Sequence, residues 1–199
     1  MLLFILWFVN FIYKGEELIM KQEFTSKNTS INTKKLPAIY NKIDWNKLIG
    51  KTVFDFGCGK QETINLIRDF LEKYDIDYIP YDPYHQSKAD QTVAFERRFD
   101  ADIYICSNVL CIIKEYDNVQ RIIDAISRYT VQEQPHQNKA FFFKIHEGDK
   151  TGQGRQTKPD CWQRNQKTKD YINLWDWTGM YPLIYKGIIT NLQGKVLMK

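Results

Sequence analysis

The sequence lacks the patterns of a zinc protein and of a membrane protein. Its 199 residues include four cysteines without a CxxC pair and three scattered histidines, so no metal site is predicted. The longest apolar run, MLLFILWFVNFIY, is shorter than the roughly 20 residues that a membrane-spanning helix needs. A net charge of only +4 permits a phosphate-bearing partner without requiring one. Nothing in the cysteine pattern indicates an oxidising compartment, and we expect a cytoplasmic protein.

The apolar start of the chain is followed by a second methionine, Met20. A signal peptide would need a basic beginning and a small-residue cleavage site, and neither is clear here. The codons for Lys14, Gly15 and Glu16 can spell a purine-rich ribosome-binding sequence at a suitable distance from Met20. We therefore predict that residues 1–19 are a translated upstream leader, in which case no stable membrane insertion is expected. A short membrane anchor is the alternative.

The rest of the chain divides into an N-terminal region and one larger domain. Residues 20–50 hold a polar arm, residues 21–35, which reads as flexible or as folding over a ligand, and then one or two short helices. In residues 51–199 the segments KTVFDFG, DYIPYDPY, DIYIC and KAFFFKI predict buried strands. QETINLIRDFLEKY and NVQRIIDAISRYT each place apolar residues on one helical face.

This order of elements predicts an α/β fold of Rossmann-like type. Continuous apolar strands indicate a mostly parallel sheet with helices on both faces. Near the C-terminus, YPLIYKGIITN and KVLMK are separated by LQG, and we expect them to form an antiparallel hairpin on the sheet edge.

The segment VFDFGCGK, Val53 to Lys60, is the strongest functional signal. It ends a predicted strand just before a helix, which is where ligands bind in open parallel sheets. Glycine permits close approach to a ligand, and the helix start offers free N–H groups. Dinucleotide binding requires a third glycine, which is missing here. The negative charge of the Asp55 carboxylate would repel a pyrophosphate. It suits a cationic ligand instead.

Asp82 supplies the second half of the predicted site. It follows Gly59 by about 20 residues, at the end of the next strand, where an acidic residue accepts hydrogen bonds from ribose hydroxyls. A ligand with a ribose, an amino-acid ammonium and no phosphate fits S-adenosylmethionine better than NAD. We therefore expect Asp55 and Asp82 to border one pocket.

These segments resemble the motifs of the class I S-adenosylmethionine-dependent methyltransferases over roughly residues 34–147. VFDFGCGK looks like the glycine-rich first motif, YDPY like the acidic second motif and ICSNVLCII like the fourth. TKKLPAIY, EGDKTGQGR and DCWQRNQKT add a resemblance to methyltransferase-domain proteins of bacteriophages and mobile elements. The interval from Asp82 to Asp102 is short, so the family's third strand and its helix must be short or altered here.

The resemblance implies roles for individual residues. Asp55, Gly57 and Gly59 would face the methionine part of the cofactor, and Asp82 would hold the ribose. Ser107 to Leu110 would lie near the methyl group and the substrate. From their place in the arm, and not from the resemblance, we expect Lys34 and Lys35 to reach back over the cofactor carboxylate. The candidate cofactor-binding residues are thus Lys35, Asp55, Gly57, Gly59, Asp82, Ser107, Asn108 and Val109.

The segment from His146 to Tyr171 is the candidate for the substrate side. It follows a predicted strand, is rich in lysine and arginine, and contains three glycines that we expect to make it mobile. We predict a basic lid, residues 146–171, that closes over the substrate and stacks a planar group on an aromatic side chain. The candidate substrate-binding residues are Lys150, Arg155, Trp162 and Arg164, and the candidate catalytic residues are Asn108, His146 and Glu147.

The sequence therefore predicts methyl transfer to nucleic acid, a nucleotide or another phosphate-bearing molecule. No prolines follow Asn108 and no Pro-Cys pair is present, so neither of the familiar DNA-base mechanisms is supported. Two alternatives stay open: a non-catalytic module of the same fold that binds nucleic acid or a host protein, and a nucleotide-dependent oxidoreductase. The oligomeric state is not predicted.

Overall fold

Eight short strands and four α-helices make up the regular structure in the computed structural model, which describes residues 21–28, 34–131, 139–175 and 182–199. The strands are β1 (Thr52–Phe56), β2 (Asp77–Tyr81), β3 (Ile103–Ser107), β4 (Ala140–Lys144), β5 (Arg155–Lys158), β6 (Cys161–Gln163), β7 (Leu183–Tyr185) and β8 (Ile188–Thr190). The α-helices are α1 (Gln61–Glu72), α2 (Lys88–Glu96), α3 (Tyr116–Val131) and α4 (Leu192–Val196), and 3-10 helices lie at Trp45–Leu48, Arg97–Phe99, Leu110–Ile112 and Thr168–Trp175.

The central sheet has six strands in the order β2-β1-β3-β4-β8-β7. The first four are parallel, β8 runs antiparallel to β4, and β7 runs antiparallel to β8. Successive side chains of a strand point to opposite faces, and both faces are buried here. One face packs with α1 residues such as Ile64 and Ile67, and the other with α3 residues such as Val119 and Ile123. The predicted Rossmann-like, mostly parallel fold is confirmed.

The C-terminal hairpin is also confirmed, but its position differs from the one predicted. β7 and β8 are joined by Lys186 and Gly187, both at positive φ, in the two-residue turn that suits strand twist. The prediction that KVLMK forms the second strand was wrong, because LQGKV forms α4. The Asn191 side chain accepts a hydrogen bond from the Gly194 N–H and caps that helix.

The interval between β2 and β3, all of which is described, contains α2 and a 3-10 turn but no strand. Ser87 begins α2 by accepting a hydrogen bond from the Asp90 N–H. This arrangement agrees with the expectation of a shortened or altered third strand and helix.

None of the helices in the described ranges has the length and apolar character needed to cross a bilayer. The predicted leader, residues 1–19, and positions 29–33 of the arm lie outside the described residues.

Candidate functional site

The turn after β1 is joined to the end of β2. Gly57 and Gly59 both have positive φ, 76° and 86°. The N–H groups of Gly57 and Cys58 donate to the Tyr81 carbonyl at 2.7 and 3.3 Å. A Cβ atom on Gly57 would lie 2.2 Å from Cγ2 of Val109, which follows β3. Position 57 therefore requires glycine for two reasons. Its φ is in the left-handed region, and the Val109 side chain leaves no room for a Cβ atom.

Asp82 holds the glycine turn and the turn after β2 together. Its Oδ2 accepts the Gly59 N–H at 3.0 Å, and its Oδ1 accepts the N–H groups of Tyr84 and His85 at 2.9 and 3.0 Å. The His85 ring nitrogen Nδ1 lies 3.1 Å from the same Oδ1. A carboxylate oxygen has two lone pairs, so Oδ2 keeps an acceptor position for a hydroxyl group. In this respect Asp82 fits a ribose.

Asp55 lies deeper and is bonded to other groups. Its Oδ2 accepts hydrogen bonds from the hydroxyls of Tyr40 and Tyr78 at 2.7 and 3.0 Å. Burial raises the pKa of Asp55 to about 6 against the lowering effect of both hydroxyls, and the charge of Asp82 adds to the rise. The two carboxylates thus influence each other electrostatically while bonding to different partners. A cofactor contact by Asp55 stays a prediction.

Replacing Asp55 with asparagine should remove a pH dependence of stability. A carboxyl group whose pKa is raised on folding binds protons more tightly in the folded state, so stability falls as the pH rises from about 4 to about 6. Relative to the Asp55→Asn variant, the wild type should lose about 2 kcal/mol between about pH 4 and about pH 7.5, measured by urea unfolding. Asp77→Asn, at the exposed end of β2, controls for loss of a carboxylate. A difference that does not change with pH would contradict this account.

The end of β3 carries an unusual backbone conformation at Asn108. Its φ is 60°, a left-handed value that side-chain-bearing residues adopt mainly under constraint. The constraint comes from two sides: its N–H donates to the Lys144 carbonyl at 2.7 Å, and its own carbonyl accepts from the Cys111 thiol at 3.3 Å. Ser107, the last residue of β3, is half-buried and pairs with Lys144. The next residue, Asn108, is exposed.

A cleft of about 390 Å³ opens between the carboxyl ends of β3 and β4, and we call it the β3–β4 cleft. The three candidate catalytic residues, Asn108, His146 and Glu147, all line it, as does Lys150. Lys144, which was not predicted, lines it as well. The sequence could have indicated Lys144, because it ends the strand predicted in KAFFFKI and ligands bind at the carboxyl ends of parallel strands. Neither this cleft nor one of about 510 Å³ at the other end of the sheet is lined by Asp55 or Asp82.

Glu147 is held as a carboxylate. The N–H of Thr168 donates to its Oε1 at 2.8 Å, and the Lys150 ammonium lies 3.1 Å from its Oε2. These bonds, the Thr168 N–H first, lower the pKa of Glu147 to about 2. Glu147 therefore organises the cleft as a fixed anion and is a weak proton acceptor near neutral pH.

The lid folds around Asn165. It contains the β5–β6 hairpin, and Asn165 accepts the Gly152 N–H on its carbonyl and donates from its amide to the Gln153 carbonyl. Two of the three glycines in the lid are closely packed, and the third, Gly152, has no atom within 4 Å of an added Cβ. A Cβ atom on Gly148 would lie 2.0 Å from the Asn165 side chain, and one on Gly154 would lie 2.4 Å from the Trp162 ring. The expected mobility of the lid stays a prediction.

The four candidate substrate-binding residues separate into two groups. Lys150 and Arg155 are exposed, with Arg155 3.6 Å from Asp149. Trp162 and Arg164 pack against other side chains. The Trp162 ring stacks on Phe24 with ring centroids 5.4 Å apart, and Arg164 is only 7% exposed. The Arg164 guanidinium lies 4.8 Å from the centre of the ring of Tyr116. The structure therefore brings Lys150 to the cleft but places Trp162 and Arg164 in the packing of the lid.

The described part of the arm, residues 21–28, crosses the carboxyl edge of the sheet. The Ser26 N–H donates to the Asp160 carbonyl at 2.8 Å, and its hydroxyl donates to the Ile112 carbonyl at 3.0 Å. The Lys27 carbonyl lies 3.1 Å from Nε2 of His85. The arm thus contacts segments that follow β2 and β3, as well as the lid. Lys35, predicted to bind the cofactor, lies in an exposed bend beyond this part of the arm.

Replacing Phe24 with alanine should loosen the arm. Loss of the stacking on Trp162 should speed amide hydrogen exchange at Ser26 by about fivefold, the equivalent of about 1 kcal/mol. Glu23→Gln is the matched control, because it removes only the exposed ion pair with Lys114 and should change exchange little. Unchanged exchange at Ser26 in Phe24→Ala would show that the ring does not hold the arm.

Comparison with protein-family models gives no match, and comparison with curated proteins gives none either. Among solved structures, one similar protein is the Burkholderia thailandensis 1,6-didemethyltoxoflavin-N1-methyltransferase with bound 1,6-didemethyltoxoflavin and S-adenosylhomocysteine. The two share 11% sequence identity with a TM-score of 0.47, over 74% of this chain and 75% of the other. At this identity no ligand contact of that enzyme is carried over to this chain.

Proposed function

We propose that the protein is a methyltransferase that uses S-adenosylmethionine. The observation that carries the proposal is the hydrogen bond of 3.0 Å from the Gly59 N–H to Oδ2 of Asp82. It fixes a glycine turn and an acidic strand end side by side at the carboxyl edge of a parallel sheet, where nucleoside ligands bind. The sequence motifs that resemble those of class I methyltransferases lie at this place.

The chain's own residues have separate tasks in this proposal. Asp82 accepts one ribose hydroxyl with the lone pair left on Oδ2, and the turn from Gly57 to Gly59 leaves backbone against the ligand. Asp55 is hydrogen-bonded to two tyrosines, and its buried carboxyl attracts the positive charge of the cofactor through space. When bound, the cofactor supplies a methyl group activated by a sulfonium. The β3–β4 cleft then holds the accepting atom.

We further propose that the substrate carries phosphate, as nucleic acid or a nucleotide does. The support is the pair of cationic side chains at and beside the cleft, Lys150 in its lining and Arg155 on the lid. A volume of about 390 Å³ suits one small molecule or one group extended from a polymer. The resemblance to phage-borne methyltransferase-domain proteins is part of this proposal, and so is a cytoplasmic location.

Titration calorimetry with S-adenosylmethionine and S-adenosylhomocysteine tests the cofactor. We expect saturable binding of both, with no change in NADH fluorescence on mixing. Absence of binding by both sulfur nucleosides would overturn the proposal, and an NADH signal would point to the oxidoreductase instead. Incubation with methyl-labelled cofactor and whole-cell fractions then identifies the polymer or metabolite that becomes labelled.

A non-catalytic module of the same fold is the second candidate. The closure of Val109 over Gly57 favours it, because that side chain fills the space a glycine would otherwise leave to a ligand. Such a module would bind nucleic acid or a host protein and transfer no labelled methyl group. Binding of S-adenosylhomocysteine together with label transfer would exclude it.

A further inference from the structure

Lys144 is the last residue of β4, at the carboxyl edge of the sheet. Its backbone pairs with Ser107 of β3 and with Ile188 of β8, which fixes its position between two strands. The side chain lines the β3–β4 cleft together with Asn108, His146 and Glu147.

The amine of Lys144 makes no hydrogen bond or ion pair within the part of the chain that the structure describes, although a carboxylate is close by. Glu147 in the lid attracts it, but that carboxylate already binds Lys150 and the Thr168 N–H. Lys42, from the segment before β1, opposes its charge, and the Lys42 ammonium is itself held by the Lys186 carbonyl at 2.8 Å.

These surroundings favour the neutral amine. Burial lowers the pKa of Lys144 first of all, and the positive charge of Lys42 lowers it further. Glu147 and the thiol of Cys111, on the 3-10 helix after β3, act in the opposite direction and do not cancel the effect. A lysine without its proton is a strong base with a free lone pair.

The other groups of the cleft are less suited to accept a proton. Glu147 is a fixed anion with two donors on its oxygens, as shown above, and the Asn108 amide has no basic atom. His146 is exposed, and its carbonyl accepts a hydrogen bond from the Gln163 side chain. Lys150 also lines the cleft, but it pairs with Glu147. Of the two remaining bases, Lys144 is half-buried and His146 is exposed.

We propose that Lys144 is the residue that accepts the proton of the substrate's nucleophilic atom. The proton moves to the lone pair of Nζ, which becomes an ammonium, and the electron pair of the broken bond stays on the nucleophile for its new bond to the methyl carbon. The methyl–sulfur bond breaks with its pair left on sulfur, so no oxidant or reductant is needed. This inference rests on the proposed methyl transfer.

Competitive acetylation tests the free amine without any substrate. The full chain is treated with trace acetic anhydride from about pH 6 to about pH 11, and the labelling of each lysine is measured by mass spectrometry. We expect Lys144 to become reactive at lower pH than the exposed lysines Lys47 and Lys51, which serve as internal references. Titration of Lys144 together with these references would overturn the proposal.

Variants test the role once a labelled acceptor is found. Lys144→Met keeps the aliphatic stem and should lower kcat about 100-fold while binding of S-adenosylhomocysteine is unchanged. The fall of the rate at acidic pH should disappear with it. Lys51→Met, at the amino end of β1, is the matched control and should behave like the wild type. If His146→Asn removes the acidic limb and Lys144→Met keeps it, the histidine is the base and the proposal fails.

Cofactor binding and the titration of Lys144 are independent measurements. Absence of S-adenosylmethionine binding by the wild type removes the methyltransferase and leaves the titration of Lys144 as it is. Normal cofactor binding with an ordinary titration of Lys144 removes only the proton acceptor. A circular dichroism spectrum and melting curve of Lys144→Met confirm that it is folded before its rate is interpreted.

Discussion

Replacing Asp82 with asparagine should reduce the affinity for S-adenosylhomocysteine by at least about 30-fold, the equivalent of about 2 kcal/mol. The amide oxygen can still accept the N–H groups of Tyr84 and His85. The amide nitrogen, however, would face the Gly59 N–H, donor against donor, and the position left for a ribose hydroxyl would lose its charge. Calorimetry gives the dissociation constant for the wild type and the variant.

The control for this substitution is on the same strand. Asp77→Asn removes an exposed carboxylate at the amino end of β2, where its partner is Arg97, and should leave the dissociation constant unchanged. Thermal unfolding separates a loosened turn from a lost ligand contact, because addition of saturating S-adenosylhomocysteine should raise the melting temperature of the wild type far more than that of Asp82→Asn. Equal affinities in two folded proteins would refute the ribose role.

Replacing Gly57 with alanine should lower the free energy of unfolding by about 3 kcal/mol. Part of the cost is steric, because the new methyl group would lie 2.2 Å from Cγ2 of Val109. The other part is the left-handed backbone, with φ at 76°. Gly50→Ala isolates the second part, since Gly50 has φ at 72° and no atom within 4 Å of its added Cβ.

The double variant Gly57→Ala with Val109→Ala completes this experiment. Removal of the valine methyl groups makes room for the alanine, so the two substitutions together should cost about 1 to 2 kcal/mol less than the sum of the single effects. Urea unfolding of the four proteins gives this coupling energy. Strict additivity would show that Val109 does not close over Gly57 in solution.

The sheet was predictable from the sequence because each of its parallel strands is a short apolar run and each main helix has a three- and four-residue apolar period. The same rule places strand ends together, which is why Asn108, His146 and Glu147 were assigned to one site before the cleft was known. The short elements were not predictable in this way. α4 depends on the capping bond from Gly194 to Asn191 rather than on a period.

The remaining differences arise from contacts between residues that are distant in the sequence. Aromatic and basic character in the lid predicted stacking and phosphate binding, but Trp162 stacks on Phe24, which lies in the arm. The tyrosines that bond to Asp55 belong to other segments, so nothing near VFDFGCGK indicates them. The pKa of Lys144 is lowered by burial and by the charge of Lys42, and both depend on the folded chain.

The path of the arm has a consequence for the order of folding. Thr25 hydrogen-bonds through its N–H to the Asp160 carboxylate, which lies 135 positions further along the chain. During synthesis this segment leaves the ribosome long before its partners exist, and closing so large a loop is entropically costly until the sheet has brought the ends near each other. We therefore expect the part of the arm made first to dock last, after β4 and the hairpin beyond it have formed; pulsed hydrogen exchange during refolding would show this order as late protection of the Ser26 amide.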